Sequence, residues 1–559
     1  MKEKTNYPSV DKTHLQGISN FKLHPFIPNM SVYNSIKLMN IPYMNNIAID
    51  CLDLSLNYKE LIKNSNVIAK SLIELGVKPG QIITVCMPNY AQAVEIFLAA
   101  NKIGVTVSFI NSFAKKEETI KYLNYFESPV FVNYNKDEDY NREIKGKTKV
   151  RNIITLDKND LNRKDFNKIN GNLIGYNDLV TFSDLGLISD FQRGYFKTNF
   201  NGNQDALILF TSGSDGEPKS VLITNKNILA SGIYTKNTCE IKPTADESCL
   251  VCVPFCYPYG FATSVLMSLL CGRTAILAPD LSKDNIEYFM KKNPNIIFGS
   301  PALLELIKRN VSDGVDLSSC KDFITGGDFL FPKNRKEGIE FFKKHNSNIG
   351  IYEGSGNAEG LGTLTSSYVK NPKLGTVGKL LVGSDAIIIN HDTGKELKYN
   401  EEGELCVTGD HIFKGYFKNE ELTKDAKFMY KGKEYFKTGT LGLLDEDGFF
   451  TLTGRVSRFY IVSSLDKVHC DNVQNIISLI DVVENVCLVG KPDDDMLFTG
   501  KAFIVLKPNV PKTGDDSHIY ECVGVMVASA LGIAATTAAY NNQEKQKQKY
   551  KGKYLSKRK

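Results

Sequence analysis

Residues 207–221 read LILFTSGSDGEPKSV, an apolar strand running into a loop of glycines and hydroxyls that ends in Pro218 and Lys219. Glycine lets successive backbone N–H groups turn toward one point, the hydroxyls add donors, and the lysine supplies a fixed positive charge. Such a loop is a cradle for a triphosphate; the alternative is a surface loop with an incidental lysine. It is not the G-x-x-x-x-G-K-[ST] loop, because Lys219 follows proline and no helix-opening Gly-Lys pair exists. Glu359, in YEGSGNAEG (352–360), is a second candidate: a hard oxygen ligand for a divalent cation, or on residue type alone a solvated loop carboxylate. Cys249, Cys252 and Cys256 have a spacing that suggests a metal or a cluster, but SCLVCVPFC reads as a buried strand with no fourth ligand nearby, so core cysteines are expected.

The elements that must position these residues alternate short apolar β-branched runs with amphipathic stretches, the pattern of βαβ units around a parallel sheet. Segment 57–76 reads as a helix, 82–88 as a strand, 90–103 as a helix and 106–110 as a strand. From about residue 375 the texture changes to short strands punctuated by Gly and Asp, which suggests an antiparallel β-rich subdomain closing the α/β part. The expected fold class is α/β: a large N-terminal domain of α/β layers plus this β-rich subdomain, with a small mobile α+β C-terminal domain. The boundary is placed at Gly454 to Arg458, giving domains of 1–454 and 455–559, the second atypical after about 508.

With 559 residues the chain is too long for one ordinary core, so two or more domains are expected. A net charge of +5 spread over 68 basic and 63 acidic residues gives no reason to invoke nucleic acid. Twelve scattered cysteines without a paired framework fit reduced thiols in a cytoplasmic protein. The polar N-terminus has no apolar signal core. Residues Cys522 to Ala539 are uncharged and precede a basic tail, yet are mostly Ala, Gly, Ser and Thr; an ordinary helix is expected there rather than an anchor, with membrane contact through the tail as the lesser reading.

Residues 211–221 resemble the phosphate-binding loop TSGSTGxPKG of the AMP-forming acyl-CoA synthetase, adenylation-domain and luciferase superfamily, the adenylate-forming ligases. Collinear segments extend the resemblance to about residue 508: 56–89, GELCVTGDHIFKGYFKNEELT, YFKTGTLGLLDEDGFFTLTGR and the GRVSR hinge fall in family order. It implies activation of a carboxylic acid by ATP with Mg²⁺, then transfer to a thiol, usually that of CoA. It further implies that Thr211, Ser212, Gly213, Ser214, Gly216 and Lys219 hold phosphates and that Glu359 helps to hold the metal. Gly326, Gly327 and Asp328, with Ser355 and Gly356, would approach the nucleotide. Arg455 would close on the ribose with Thr440, and Arg458 would be the hinge. The acyl pocket would include Tyr257, Tyr259, Gly260 and Ser300.

Several positions depart from the family pattern. Thr-Gly-Asp reads Thr438–Gly439–Thr440, removing a bidentate acceptor for the ribose; the aromatic residue before the glycine of the Glu359 motif is Ser355, and its usual Thr is Ala358. The expected histidine of the acyl-gate segment is Tyr257, and a glycine near the thiol path is Leu465. No clean P-K-T-x-x-G-K ending is found, with Lys512 too early and Lys553 lacking the motif. These losses leave open a second reading, a catalytically impaired relative that binds nucleotide or acid and serves regulation or interaction. An aliphatic and an aryl acid are equally compatible with the sequence; an amino acid is less so, since no acidic residue stands out to hold its ammonium.

Overall fold

The computed structural model describes residues 5–15, 25–134, 136–156, 173–175, 201–211, 218–244, 246–328, 330–368, 372–457, 459–461, 467–478, 480, 483–493 and 497–506. The chain divides into two compact units. The first comprises Met1–Ile387, Cys406–Thr438 and Asp445–Phe450; the second comprises Ile388–Leu405, Gly439–Leu444 and Thr451–Lys559.

Two mostly parallel sheets make up the first unit. A nine-stranded sheet runs in the order Lys379–Leu380, Thr365–Ser366, Gly350–Ser355, Asp322–Thr325, Ile296–Gly299, Ser248–Val251, Thr274–Leu277, Ile47–Cys51, Leu54–Asn57. An eight-stranded sheet runs Gly415–Tyr416, Ser220–Thr224, Asp205–Phe210, Thr106–Phe109, Ile82–Cys86, Val130–Tyr134, Asn152–Leu156, Leu173–Gly175. The βαβ alternation read from residues 57–110 is the observed one: helix Tyr58–Glu74, strand Ile82–Cys86, helix Ala91–Lys102, strand Thr106–Phe109. The first helix starts at Asn57, whose side chain accepts from the Glu60 N–H while Glu60 reaches back to the Asn57 N–H. That reciprocal cap satisfies two donors the helix cannot pair internally.

Helix Ala91–Lys102 is buried from Ala91 to Asn101 and touches strands of both sheets, Ile47–Cys51 and Thr106–Phe109. A helix placed there must be apolar or small over most of its surface, as Ala93, Val94 and Ile96–Ala100 are, and the buried Glu95 carboxyl accepts from the Asn64 side chain at 2.6 Å. Phe97, Phe109, Phe255 and Phe261 stack edge to face or tilted at 4.7–6.1 Å between ring centres, joining the layers. On the outer face of the nine-stranded sheet, Ile297, Phe323, Leu304, Phe342, Phe289 and Ile351 form a separate core under the surrounding helices. Cys249 lies within a core of apolar residues with Met267 and Phe298, and burial pushes its thiol pKa up. Among the described residues no three or more His, Cys, Asp or Glu are grouped to hold a metal.

Beyond residue 379 the chain is dominated by short strands with tight turns, as in the hairpin pairing Lys427–Tyr430 with Lys433–Phe436. In the second unit, helix Cys470–Ser478 packs Val473 and Ile477 against Val483, Val486 and Leu488 of the long hairpin Val483–Asp493 with Leu497–Leu506. Among the described residues no helix is long and apolar enough to cross a membrane, while Cys522 to Ala539 and the basic tail lie outside them.

One buried group of the first unit makes its stability depend on pH. His411 is fully buried, its two ring nitrogens have no hydrogen-bond partner, and the ring sits edge-on to Tyr234. Burial lowers its pKa to about 4, against the weaker opposing pull of Asp410. The unfolded chain binds this proton near pH 6.5 and the folded chain does not, so stability is full above that pH and falls as pH drops toward 4. Urea unfolding should lose roughly 3 kcal/mol over that window from this group, and His411→Gln should flatten the slope by that amount; an unchanged slope would exclude it as the source.

Candidate functional site

In the nine-stranded sheet, strands Ile296–Gly299, Asp322–Thr325 and Gly350–Ser355 are parallel, with Gly299 opposite Thr325 and Thr325 opposite Glu353. Their carboxyl ends therefore bring Ser300, Gly326 and Ser355 to one edge, where open α/β sheets bind ligands. Gly326 donates its N–H to the Gly299 carbonyl at 3.2 Å. Gly327 has φ +85°, a conformation glycine adopts without strain, and it turns the chain outward so that Asp328 is exposed. Ser355 accepts at its carbonyl from the Leu364 N–H and donates its own N–H to the Thr365 hydroxyl. At Gly356 a methyl group would stand 2.4 Å from the Gly362 carbonyl oxygen, so only glycine fits the loop that leads to Glu359.

From the eight-stranded sheet, strand Asp205–Phe210 ends at Thr211 and the return strand begins at Ser220. Thr211 and Lys219 close the intervening loop: the Thr211 N–H donates to the Lys219 carbonyl at 3.1 Å, and the Lys219 N–H donates to the Thr211 hydroxyl at 3.0 Å. Ser212, Gly213, Ser214 and Gly216 lie outside the described residues.

Lys219 and Glu359 both meet one tyrosine, the carboxyl at its hydroxyl and the ammonium near its ring. Strand Ser220–Thr224 pairs antiparallel with Gly415–Tyr416, Tyr416 facing Val221, and the Phe413 N–H donates to the Glu359 carbonyl at 2.8 Å. Tyr416 then donates its hydroxyl to Glu359 Oε1 at 2.6 Å, with both residues buried. The Lys219 Nζ lies 5.5 Å from the Tyr416 ring centre, within reach of a cation–π attraction. Among the described residues Glu359 makes no ion pair, so a buried carboxylate has a neutral phenol as its partner. Tyr416 was not singled out in the sequence: its link to Glu359 spans 57 residues and has no local signal.

Tyr259, Gly326 and Gly354 line a narrow cavity together with Thr325 and Phe298. Tyr259 opens a helix, Tyr259–Leu266, wound with the wider π-helical turn, and its hydroxyl donates to the Ile324 carbonyl at 2.6 Å. Gly260 is fixed by crowding, because a methyl there would lie 2.3 Å from the Val253 carbonyl oxygen. Tyr257 is 36% exposed and Ser300 caps helix Pro301–Asn310 by accepting from the Leu303 N–H; neither lines this cavity.

Thr440 and Arg455 belong to the second unit. Thr440 is buried and follows Gly439, whose N–H donates to the buried Glu404 carboxylate at 3.0 Å and whose carbonyl accepts from the Val456 N–H at 2.9 Å. The residue after Arg455 is thus tied to Gly439, the strand residue before Thr440. Arg458, Leu465, Lys512 and Lys553 lie outside the described residues.

The model of the AMP-binding enzyme family matches residues 42–417, and the chain belongs to that family, within the adenylate-forming ligases. Its relatives include the "Probable 4-coumarate--CoA ligase 2" of Dictyostelium discoideum, 24% identical over 453 residues that cover 79% of each chain. Its fold is that of ATP-bound MatB from Rhodopseudomonas palustris (TM-score 0.74, 21% identity, 86% of this chain and 90% of that one). It is also that of the anthranilate CoA ligase AuaEII in complex with anthranoyl-AMP (TM-score 0.76, 18% identity, 90% and 91%).

Removing the phenol tests how far the site depends on it. Tyr416→Phe leaves Glu359 Oε1 buried without its donor and should lower stability by about 1–3 kcal/mol, read by denaturant midpoint; Gly356→Ala should cost at least as much, since backbone must shift to admit the methyl. A neutral Tyr416→Phe would show that solvent, not the phenol, satisfies the carboxylate.

Proposed function

We propose that this protein activates a carboxylic acid with ATP to an acyl adenylate and then transfers the acyl group to CoA. The observation that carries the reading is the pair of Lys219 and Glu359 joined through Tyr416, with Lys219 ending a sequence whose glycines and hydroxyls suit phosphate. The chain's family and its likeness in fold to ATP-bound MatB and to AuaEII bound to anthranoyl-AMP support it.

In the first half-reaction a carboxylate oxygen attacks the α-phosphorus, the bond to the bridging oxygen breaks, and pyrophosphate leaves with that electron pair. In the second, a thiol attacks the acyl carbon and AMP departs, a far better leaving group than oxide. The work of the first step is therefore charge neutralisation. Lys219, held by its backbone to Thr211 and with its side chain near the Tyr416 ring, presents a fixed positive charge to the leaving phosphates; Ser212, Gly213, Ser214 and Gly216 would add donors in this reading. Glu359 fits the role of a ligand to Mg²⁺: it is a buried hard oxygen donor with one oxygen oriented by a phenol and no described cation beside it. Magnesium bound there would supply further positive charge against the phosphate oxygens.

Gly326, Gly327 and Asp328 approach the adenine in this reading, with Ser355 and Gly356 beside it. Thr440 and Arg455 face the ribose and Arg458 is the hinge between half-reactions. Tyr257, Tyr259, Gly260 and Ser300 border the acyl group, and the reaction runs in the cytoplasm.

Pyrophosphate release with MgATP, across aliphatic and aryl acids, tests the reading directly. Acid-dependent release should fall by about 10²–10³-fold in Lys219→Ala, the usual cost of one stabilising group in a preorganised site. No release with any acid from a folded protein would overturn it in favour of a nucleotide-binding relative without the activity.

A further inference from the structure

Residues 413–416 hold Glu359 at both ends. The Phe413 N–H donates to the Glu359 carbonyl at 2.8 Å, and the Tyr416 hydroxyl donates to Oε1 at 2.6 Å. The phenol is itself fixed. The Tyr416 N–H donates to the Thr423 hydroxyl at 2.9 Å, the residue faces Val221 across the strand pair, and the ring meets Phe413 edge-on, 4.9 Å between centres. Phe413 is packed in turn against Phe436, 5.3 Å between ring centres. A close-packed phenol of this kind cannot follow a carboxylate that turns. Oε1 is therefore committed to a donor whose place the fold sets.

The second oxygen, Oε2, is differently placed. Among the described residues it makes no hydrogen bond or ion pair, and it is not sealed from water as the His411 ring nitrogens are. Lys219 stands near the Tyr416 ring and makes no ion pair with the carboxylate. Glu359 thus has one committed oxygen and one that a ligand can take.

That asymmetry separates divalent cations. Calcium takes about six to eight oxygens at about 2.3–2.6 Å and readily accepts both oxygens of one carboxylate. Magnesium demands a near-ideal octahedron at about 2.0–2.1 Å, keeps several waters, and is held through one or two carboxylates plus substrate phosphates. To give both oxygens to one ion, a carboxylate must point its bisector at that ion. Here this means turning Oε1 away from a donor that cannot follow. Hydrogen-bond partners of a ligating carboxylate orient it and tune its affinity in this way.

We propose that Tyr416 is a positioning residue that makes Glu359 a one-oxygen ligand and so sets the cation that accompanies the nucleotide, favouring Mg²⁺ over Ca²⁺. This rests on the reading of Glu359 as a metal ligand in the adenylation site and adds the residue that governs its choice of ion.

The test is cation binding to the full chain with a non-hydrolysable ATP analogue, read by displacement of Mn²⁺ in electron paramagnetic resonance, with the analogue alone as reference. In the wild type the preference for Mg²⁺ over Ca²⁺ should exceed that of the analogue by about tenfold. Tyr416→Phe should abolish most of this excess, with Ca²⁺ bound more tightly than in the wild type; a merely structural role would weaken both ions together. Glu359→Gln should return the preference to that of the analogue. Because Tyr416→Phe is expected to lose stability, the wild type supplies a second readout. The infrared splitting between the antisymmetric and symmetric stretches of the Glu359 carboxylate, isolated by subtracting Glu359→Gln, should widen with Mg²⁺, as one-oxygen coordination requires. A narrowed splitting, a preference that Tyr416→Phe leaves unchanged, or equal weakening of both ions overturns the inference. Acid-dependent pyrophosphate release, followed in parallel, keeps the two readings apart. Release alongside any of those outcomes leaves adenylation standing without this role for Tyr416. Selective cation binding with no release from any acid sinks adenylation and leaves the role of Tyr416 in place.

Discussion

A buried carboxylate requires a proton, a donor or a cation, and Glu359 is placed where that requirement shapes its neighbourhood. The Tyr416 hydroxyl meets it from one side. For the phenol to arrive there, residues 413–417 must lie against strand Ser220–Thr224, which the Gly415–Tyr416 pairing and the flanking bonds of Lys414 and Phe417 ensure. The same strand begins at Ser220, directly after the lysine that closes the loop with Thr211. One side chain thus fixes the distance between the loop's positive charge and the carboxylate across elements far apart in sequence. Because these contacts are backbone pairing and a hydrogen bond between buried groups, they order the site before any ligand arrives.

What was legible in the sequence was what is local. The loop between Phe210 and Lys219 declares itself through glycines and hydroxyls after an apolar strand, and the βαβ texture of residues 57–110 follows from hydrophobic period alone. Glu359 could be read as functional only because its motif resembled a family's; its residue type in a glycine-rich turn fits a solvated loop equally well. Tyr416 carries no local signal, since nothing in GYF announces a partner 57 residues earlier. The cavity was less legible still: its wall draws on residues from Thr235 to Ser366, and whether a hydroxyl in it is satisfied depends on which neighbours the fold supplies.

The departures from the family pattern also take on physical content. Thr440 is buried next to Gly439, whose N–H the Glu404 carboxyl group accepts, so the second unit carries an acidic group near this point, though engaged with backbone and with His391. Ser355 is fixed through both its N–H and its carbonyl, which keeps the geometry of the motif while giving up an aromatic face. The framework around these positions is retained where individual recognition groups are changed.

Helix Tyr259–Leu266 contains the equivalent of one residue more than an α-helix would use over the same rise, which is what a π turn is. Deleting a single residue from it would let the segment rewind as an α-helix over the same rise, so that the chain before and after keeps its place while the side chains within the turn are redistributed about the axis. Tyr259 and Thr263, which this helix contributes to the cavity, would be re-aimed in one step. The lining of the cavity is therefore something that insertion or deletion can reset within one helix, separately from the loop that Lys219 closes on the other sheet.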